Sequence, residues 1–138
     1  MITNQKITVV GSGYVGMSLS VLLSQLNHVT VLDIDQSRID KINNKISTIE
    51  DKDIQHYLDS KNLKIRATLD NNLAYDGAKF IIIATPTNFD ENTKKFDTSN
   101  VDQVVRDALC SSEDALIVIK STVPVGYTEK LQEKYKTP

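Results

Sequence analysis

The sequence has 138 residues, of which 40% are hydrophobic, 25% charged and 6% aromatic, with five glycines and three prolines. These proportions exclude a collagen-like or disordered chain and match an ordinary globular domain built on one core. Sixteen basic against eighteen acidic residues leave a formal charge of −2, so there is no basic surplus to hold nucleic acid or an anionic membrane.

Short apolar runs alternate with segments of helical period. Residues 7–10 form the first run, after which Val15, Leu19, Leu22 and Leu26 recur at helical spacing and predict one apolar helix face. Residues 29–32, rich in β-branched side chains, predict a second strand that is closed by Asp33. Ile39, Ile42 and Ile46 make a second helical stripe, with Ser37 and Asp40 spaced as a capping box at its start. Residues 51–59 predict a short helix, and residues 63–67 alternate like a strand. Residues 80–84 and 115–119 are apolar without alternation, the pattern of strands covered on both faces. Between them Val101, Val104, Val105, Ala108 and Leu109 form a helical face, and Ser99 with Asp102 again fits a capping box. Residues 126–135 predict the last helix. This β-α-β-α rhythm with short connections predicts an α/β fold. The expected form is a doubly wound sheet of five parallel strands in order 3-2-1-4-5, with helices on both faces and right-handed crossovers.

Gly11-Ser12-Gly13-Tyr14-Val15-Gly16 fits G-x-G-x-x-G in the context that gives the motif meaning: a strand precedes it, a helix follows, and a second strand ends in an acid. Gly11 then makes the tight turn, Gly13 lets the backbone approach a pyrophosphate, and Gly16 lets helix and strand pack closely. The helix N-terminus binds phosphate through free N–H groups without a basic side chain. The competing explanation is a glycine turn that serves packing alone. Asp33, about 20 residues past the loop, is placed to accept from both adenosine ribose hydroxyls. A carboxylate there repels a 2′-phosphate, which favours NAD over NADP. Asp35 could share that role, and Arg38 could reach a 2′-phosphate.

In such a sheet, ligands sit beyond the carboxyl ends of the strands. Thr85-Pro86-Thr87 follows the fourth strand and Lys120-Ser121-Thr122-Val123-Pro124-Val125-Gly126 the fifth. Hydroxyls of Thr85, Thr87, Ser121 and Thr122 could contact ribose, nicotinamide or substrate, or could equally cap helices. Cys110, the one cysteine, excludes an internal disulfide framework and suits a reducing cytoplasm. At the apolar end of a helix, with no base near it in sequence, it is expected to be an inert, buried or half-buried thiol. His28 and His56 lack metal-ligand spacing, and no metal site is expected. Glu50, Asp51 and Asp53 suit a solvated helix start. The N-terminus lacks a signal-peptide layout and the apolar runs are too short to span a bilayer, so a cytoplasmic location is expected.

The glycine loop, Thr85-Pro86-Thr87 and the Ser-Thr-Val-Pro-Val-Gly element at residues 121–126, in this order and separation, resemble the N-terminal domain of the UDP-glucose/GDP-mannose dehydrogenases. The resemblance runs over essentially the whole chain, and the third element is far more specific than the glycine loop. It implies a Rossmann-type NAD-binding domain over residues 1–138. The implied NAD contacts come from the loop at Gly11, Gly13, Tyr14, Val15 and Gly16, and from Asp33, Arg38, Thr87 and Thr122. It also gives Thr122 a supporting catalytic place between cofactor and active site. Enzymes of this family oxidise a sugar's primary alcohol to a carboxylate in two NAD-dependent hydride transfers through a cysteine thioester. The resemblance implies that the reactive cysteine, lysine and aspartate, the central helix and the substrate domain lie outside this chain. It is then expected to bind NAD without turnover, as part of a homodimeric enzyme of nucleotide-sugar metabolism and polysaccharide biosynthesis. Arg38 stands where relatives often carry lysine, and Thr48 where they more often carry proline. Two other classes make distinct predictions. A free-standing NAD-sensing domain explains the glycine loop and Asp33 but not residues 121–126. A methyltransferase would bind S-adenosylmethionine instead of NAD.

Overall fold

A computed structural model describes residues 1–138. Five parallel strands form the main sheet: β1 (Lys6–Val10), β2 (His28–Leu32), β3 (Ile65–Thr68), β4 (Phe80–Ile83) and β7 (Leu116–Ile119). Their order is β3-β2-β1-β4-β7, which is the order expected from the sequence. The central strands are mostly apolar, with Thr8 and Thr30 buried among them, because both faces are covered. Ile7, Val9, Val29 and Val31 pack on one side with Met17 and Val21 of α1 (Tyr14–Leu23), Ile39 and Ile42 of α2 (Gln36–Asn43), and Ile54 and Leu58 of α3 (Lys52–Ser60). Val10, Leu32, Ile81 and Ile83 pack on the other side with Tyr75 of α4 (Asn71–Tyr75), Val101, Val105 and Ala108 of α5 (Ser99–Ser111), and Leu131 of α6 (Tyr127–Tyr135).

Several local expectations are corrected. Of the stripe Val15, Leu19, Leu22 and Leu26, Leu19 is half-buried and the other three are exposed, while Gly16, Met17, Ser20 and Val21 are the buried residues of the helix. Neither capping box forms. Asp35, extended at φ −103 and ψ 109, caps α2, and Asp40 instead accepts from Gln36 Nε2 at 2.8 Å. At α5 the cap position is Thr98 with no side-chain cap, and Ser99 donates its hydroxyl to Asp97 at 2.6 Å. Helix α2 stops at Asn43, leaving Ile46 exposed beyond it. Asn43 is turned to another use. Its Oδ1 accepts from Ala67 N–H at 2.9 Å and its Nδ2 donates to Ala67 O at 3.0 Å, pairing part of β3's outer edge. At the opposite edge β7 is only partly covered, with Leu116 exposed. Cys110 is exposed: it falls on the outer side of α5, opposite Val101, Val105 and Ala108.

Two further elements lie outside the β-α pattern of the sequence. One is α4, capped by Asp70 and tied to β1 by the Thr8 hydroxyl, which donates to Ala74 O. The other is a hairpin of β5 (Asn88–Asp90) and β6 (Lys95–Asp97), joined by the Phe89–Phe96 cross-strand ring pair at 5.0 Å.

Candidate functional site: the glycine loop and the carboxyl edge of the sheet

Strands β1, β2, β4 and β7 all end at one edge, and the loops leaving them converge there. Gly11 has φ +99, and a Cβ on it would lie 2.6 Å from Ala84 O; the turn after β1 therefore touches the end of β4, and only glycine fits. A Cβ on Gly16 would lie 1.9 Å from Gly11 O, so α1 seats directly on the turn. Gly13 is different: a Cβ there meets nothing within 4 Å. Its side is open space, the opening through which a ligand's phosphates could reach the backbone. Gly13 precedes α1 without a side-chain cap, and the first turn holds no acid. The orphan N–H groups of this ten-residue helix are thus left for an anion.

Asp33 stands next to that loop, half-buried. Its Oδ2 accepts from the N–H of Ser12 at 2.9 Å and from the Ser12 hydroxyl at 2.5 Å, and its Oδ1 from Asp35 N–H at 3.1 Å. Two carboxylate oxygens have about four acceptor sites, so capacity remains for a further donor. Asp35 is committed to capping, accepting from Ser37 N–H at 2.9 Å. Arg38 Nε lies 3.8 Å from Asp35 Oδ2, both side chains about half exposed, a pair worth at most about 1 kcal/mol.

At the ends of β4 and β7 the hydroxyls mostly join one loop to the other. Ser121 Oγ donates to Thr85 O at 2.7 Å and lies 3.4 Å from Thr85 Oγ1. Thr87 Oγ1 donates to Thr122 O at 2.7 Å. Backbone N–H groups of Lys120 and Ser121 both donate to Ile83 O, at 2.8 and 3.1 Å. None of these hydroxyls caps a helix. Thr122 is exposed.

Residues 5–137 match the family described as the UDP-glucose/GDP-mannose dehydrogenase family, NAD binding domain. The chain belongs to this family. It is 44% identical over 132 residues to a UDP-glucose 6-dehydrogenase of Streptococcus pneumoniae, covering 96% of this chain and 34% of that protein. It is 41% identical over 132 residues to one of Campylobacter jejuni, covering 94% of this chain and 34% of the relative. The chain thus spans about a third of the length of the curated relatives it matches. Among solved structures it is similar to a UDP-D-ManNAc dehydrogenase of Pyrococcus horikoshii, with TM-score 0.84, 26% identity, and coverage of 96% of this chain and 32% of that one. It is also similar to a GDP-mannose dehydrogenase of Pseudomonas aeruginosa, with TM-score 0.80, 25% identity, and coverage of 89% and 30%. The Rossmann-type fold and the NAD cofactor follow from membership of this dehydrogenase family.

In this NAD-binding domain two contacts escaped the sequence. The Tyr14 side chain is exposed, and its hydroxyl donates to Asp51 Oδ2 at 2.8 Å. Thr48 Oγ1 donates to Ser12 O at 2.6 Å. Asp51 caps α3 through Asp53 and Ile54 N–H. The bond from Ile54 N–H and that from Tyr14 hold its carboxyl below the usual range, while the Asp51 bond raises Tyr14. His28 and His56 are both exposed and lie apart from this edge, at the start of β2 and on α3.

Proposed function

We propose that this chain is the cofactor-binding part of a UDP-glucose 6-dehydrogenase. In this reading the parent enzyme oxidises the C6 alcohol of UDP-glucose to UDP-glucuronate in two NAD-dependent hydride transfers, through a cysteine thioester formed by residues outside this chain. The observation that carries the cofactor half is the uncapped N-terminus of α1 beside the open side of Gly13, with the Asp33 carboxylate next to it. The substrate is supported by the identity with UDP-glucose 6-dehydrogenases.

The residues present fit a dinucleotide. Backbone groups at Gly13, Tyr14 and Val15 would take the pyrophosphate, with Gly11 and Gly16 shaping the turn. Asp33 would take the adenosine ribose, and Arg38 would lie toward the adenosine end. Thr122 would face the nicotinamide side, with a supporting place in catalysis, on a loop that Thr87 holds through the Thr122 carbonyl. Bound NAD supplies the hydride acceptor. The chain's own part is to bind and orient it: the loop satisfies phosphate charge with N–H groups and dipole instead of a mobile basic side chain. We read the enzyme as cytoplasmic and homodimeric when whole; no helix here is long and apolar enough to cross a membrane.

Calorimetric titration of the 138-residue chain with NAD and NADP tests the cofactor half. NAD should bind more tightly than NADP, and no UDP-glucuronate should form from UDP-glucose and NAD. Equal binding of the two cofactors would remove Asp33 from the ribose site. Turnover by the chain alone would show that the chemistry does not need residues outside it.

A further inference from the structure

The connection between α2 and α3 touches the glycine loop twice, on either side of Gly13. Thr48 hydrogen-bonds the Ser12 carbonyl from one side, and Asp51 takes the Tyr14 hydroxyl from the other. We propose that Thr48 and Asp51 are positioning residues that clamp this loop so that the Gly13 N–H is aimed at a ligand's pyrophosphate. The proposal rests on the dinucleotide reading above and adds residues to it.

The peptide joining Ser12 to Gly13 is planar and trans, so its C=O and its N–H point in opposite directions. Fixing the Ser12 oxygen on Thr48 therefore fixes where the Gly13 N–H points. That N–H has no acceptor within the chain, and the Gly13 side is open. Ser12 itself is fully buried. Its N–H and hydroxyl are held by Asp33 and its carbonyl by Thr48, so all of its polar groups are taken and the peptide plane has no freedom to rotate.

A clamp must itself be held. Ser47 N–H donates to Gln55 Oε1 at 2.9 Å, and Gln55 Nε2 donates to Lys45 O at 3.0 Å, tying both sides of the connection to α3. The Ser47 hydroxyl donates to Ile49 O at 2.7 Å, and Ile49 packs against the core beneath α1 and α3. Asp51 is fixed as the cap of α3. The loop is thus referenced to a packed helix 36 or more residues away in sequence, and entropy that a free loop would lose on binding is lost during folding instead.

The test compares the parent chain with Thr48→Val, which keeps the shape and removes the donor, and with Thr48→Ser, which keeps the donor. Thr48→Val should weaken NAD about fivefold, the value of one ordinary hydrogen bond, and should move the Ser12 carbonyl carbon resonance upfield in the ligand-free protein. Thr48→Ser should restore both. ADP, which carries the pyrophosphate, should weaken as NAD does, while adenosine should bind all three proteins alike. A Thr48→Val protein that binds NAD and ADP like the parent overturns the proposal, as does an unmoved Ser12 carbonyl. A parent chain that binds neither NAD nor ADP would instead overturn the dinucleotide reading and remove the clamp's purpose with it.

Discussion

Asp33 and Ser12 are joined twice: one carboxylate oxygen accepts both the N–H of Ser12, at 2.9 Å, and its hydroxyl, at 2.5 Å. The acid that ends β2 therefore holds the turn that ends β1, before any ligand arrives. The same side chain is both a proposed ribose acceptor and a brace for the phosphate loop. Asp33→Ala should accordingly cost on two counts. Hydrogen bonds to a charged group are worth about 1.5–3 kcal/mol, so NAD affinity should fall about 10- to 100-fold by calorimetry. The ligand-free melting temperature should also drop by several degrees. A variant that binds NAD like the parent would leave Asp33 as a brace only.

The second and third glycines of the motif separate packing from binding. A methyl group on Gly16 would meet backbone atoms of Gly11 at 1.9 and 2.9 Å, and backbone cannot step aside without moving α1 off the sheet. Gly16→Ala should destabilise the chain by about 2–3 kcal/mol or prevent folding, as overpacking does. Gly13, at φ −78 and facing open space, accepts a methyl group in the free chain. Gly13→Ala should change the urea midpoint by less than about 0.5 kcal/mol equivalent and yet weaken NAD tenfold or more, the methyl standing where phosphate approaches. Equal effects of the two substitutions on stability would make the motif a packing device alone.

These contrasts mark what the sequence could and could not tell. The sheet order was legible because each buried strand is a short apolar run of its own, and the motif was legible because its meaning depends on neighbours in sequence. The inner face of α1 departs from the periodic pattern for a physical reason. Periodicity picks out the large residues Val15, Leu19, Leu22 and Leu26, but a helix that must lie within touching distance of Gly11 presents Gly16 and Ser20 there instead. The box pattern points to Ser37 as the cap of α2, whereas Asp35, already extended, accepts from Ser37 and Arg38 N–H. Thr48 to Ser12 and Tyr14 to Asp51 leave no trace in sequence at all: nothing in spacing announces a contact across 36 or 37 positions.

Alkaline conditions should expose Tyr75. Burial, followed by the nearby charge of Asp107, pushes its hydroxyl up to about 12, above the usual tyrosine value of about 10. Below pH 10 the phenol is neutral in both the folded and the unfolded chain, so its contribution is fully present. Above that, the unfolded chain ionises first, and stability falls as pH rises through about 12. Tyr127, raised by burial and by its bond to Asp102, adds to the same slope. Urea denaturation at pH 9, 10 and 11 should show stability declining with pH, and Tyr75→Phe should make that decline shallower. An unchanged slope would mean that Tyr75 is wet in the native state.

The loops after β4 and β7 offer a last test, because the Thr87 hydroxyl, beside the Ser121–Thr85 bond, links them at the proposed nicotinamide side. Thr87 Oγ1 donates to Thr122 O at 2.7 Å, and it leaves that carbonyl's residue on the exposed rim. Thr87→Val keeps the shape but loses the donor, which should lower stability by about 1 kcal/mol. If the Thr122 loop meets the cofactor, the same change should weaken NAD about fivefold while leaving ADP, which has no nicotinamide, unaffected. Thr87→Ser restores the donor and should restore NAD binding. Equal weakening of NAD and ADP would place the effect on the pyrophosphate side and move Thr87 and Thr122 away from the nicotinamide. A variant that is less stable but binds NAD normally would confine this bond to joining β4 and β7.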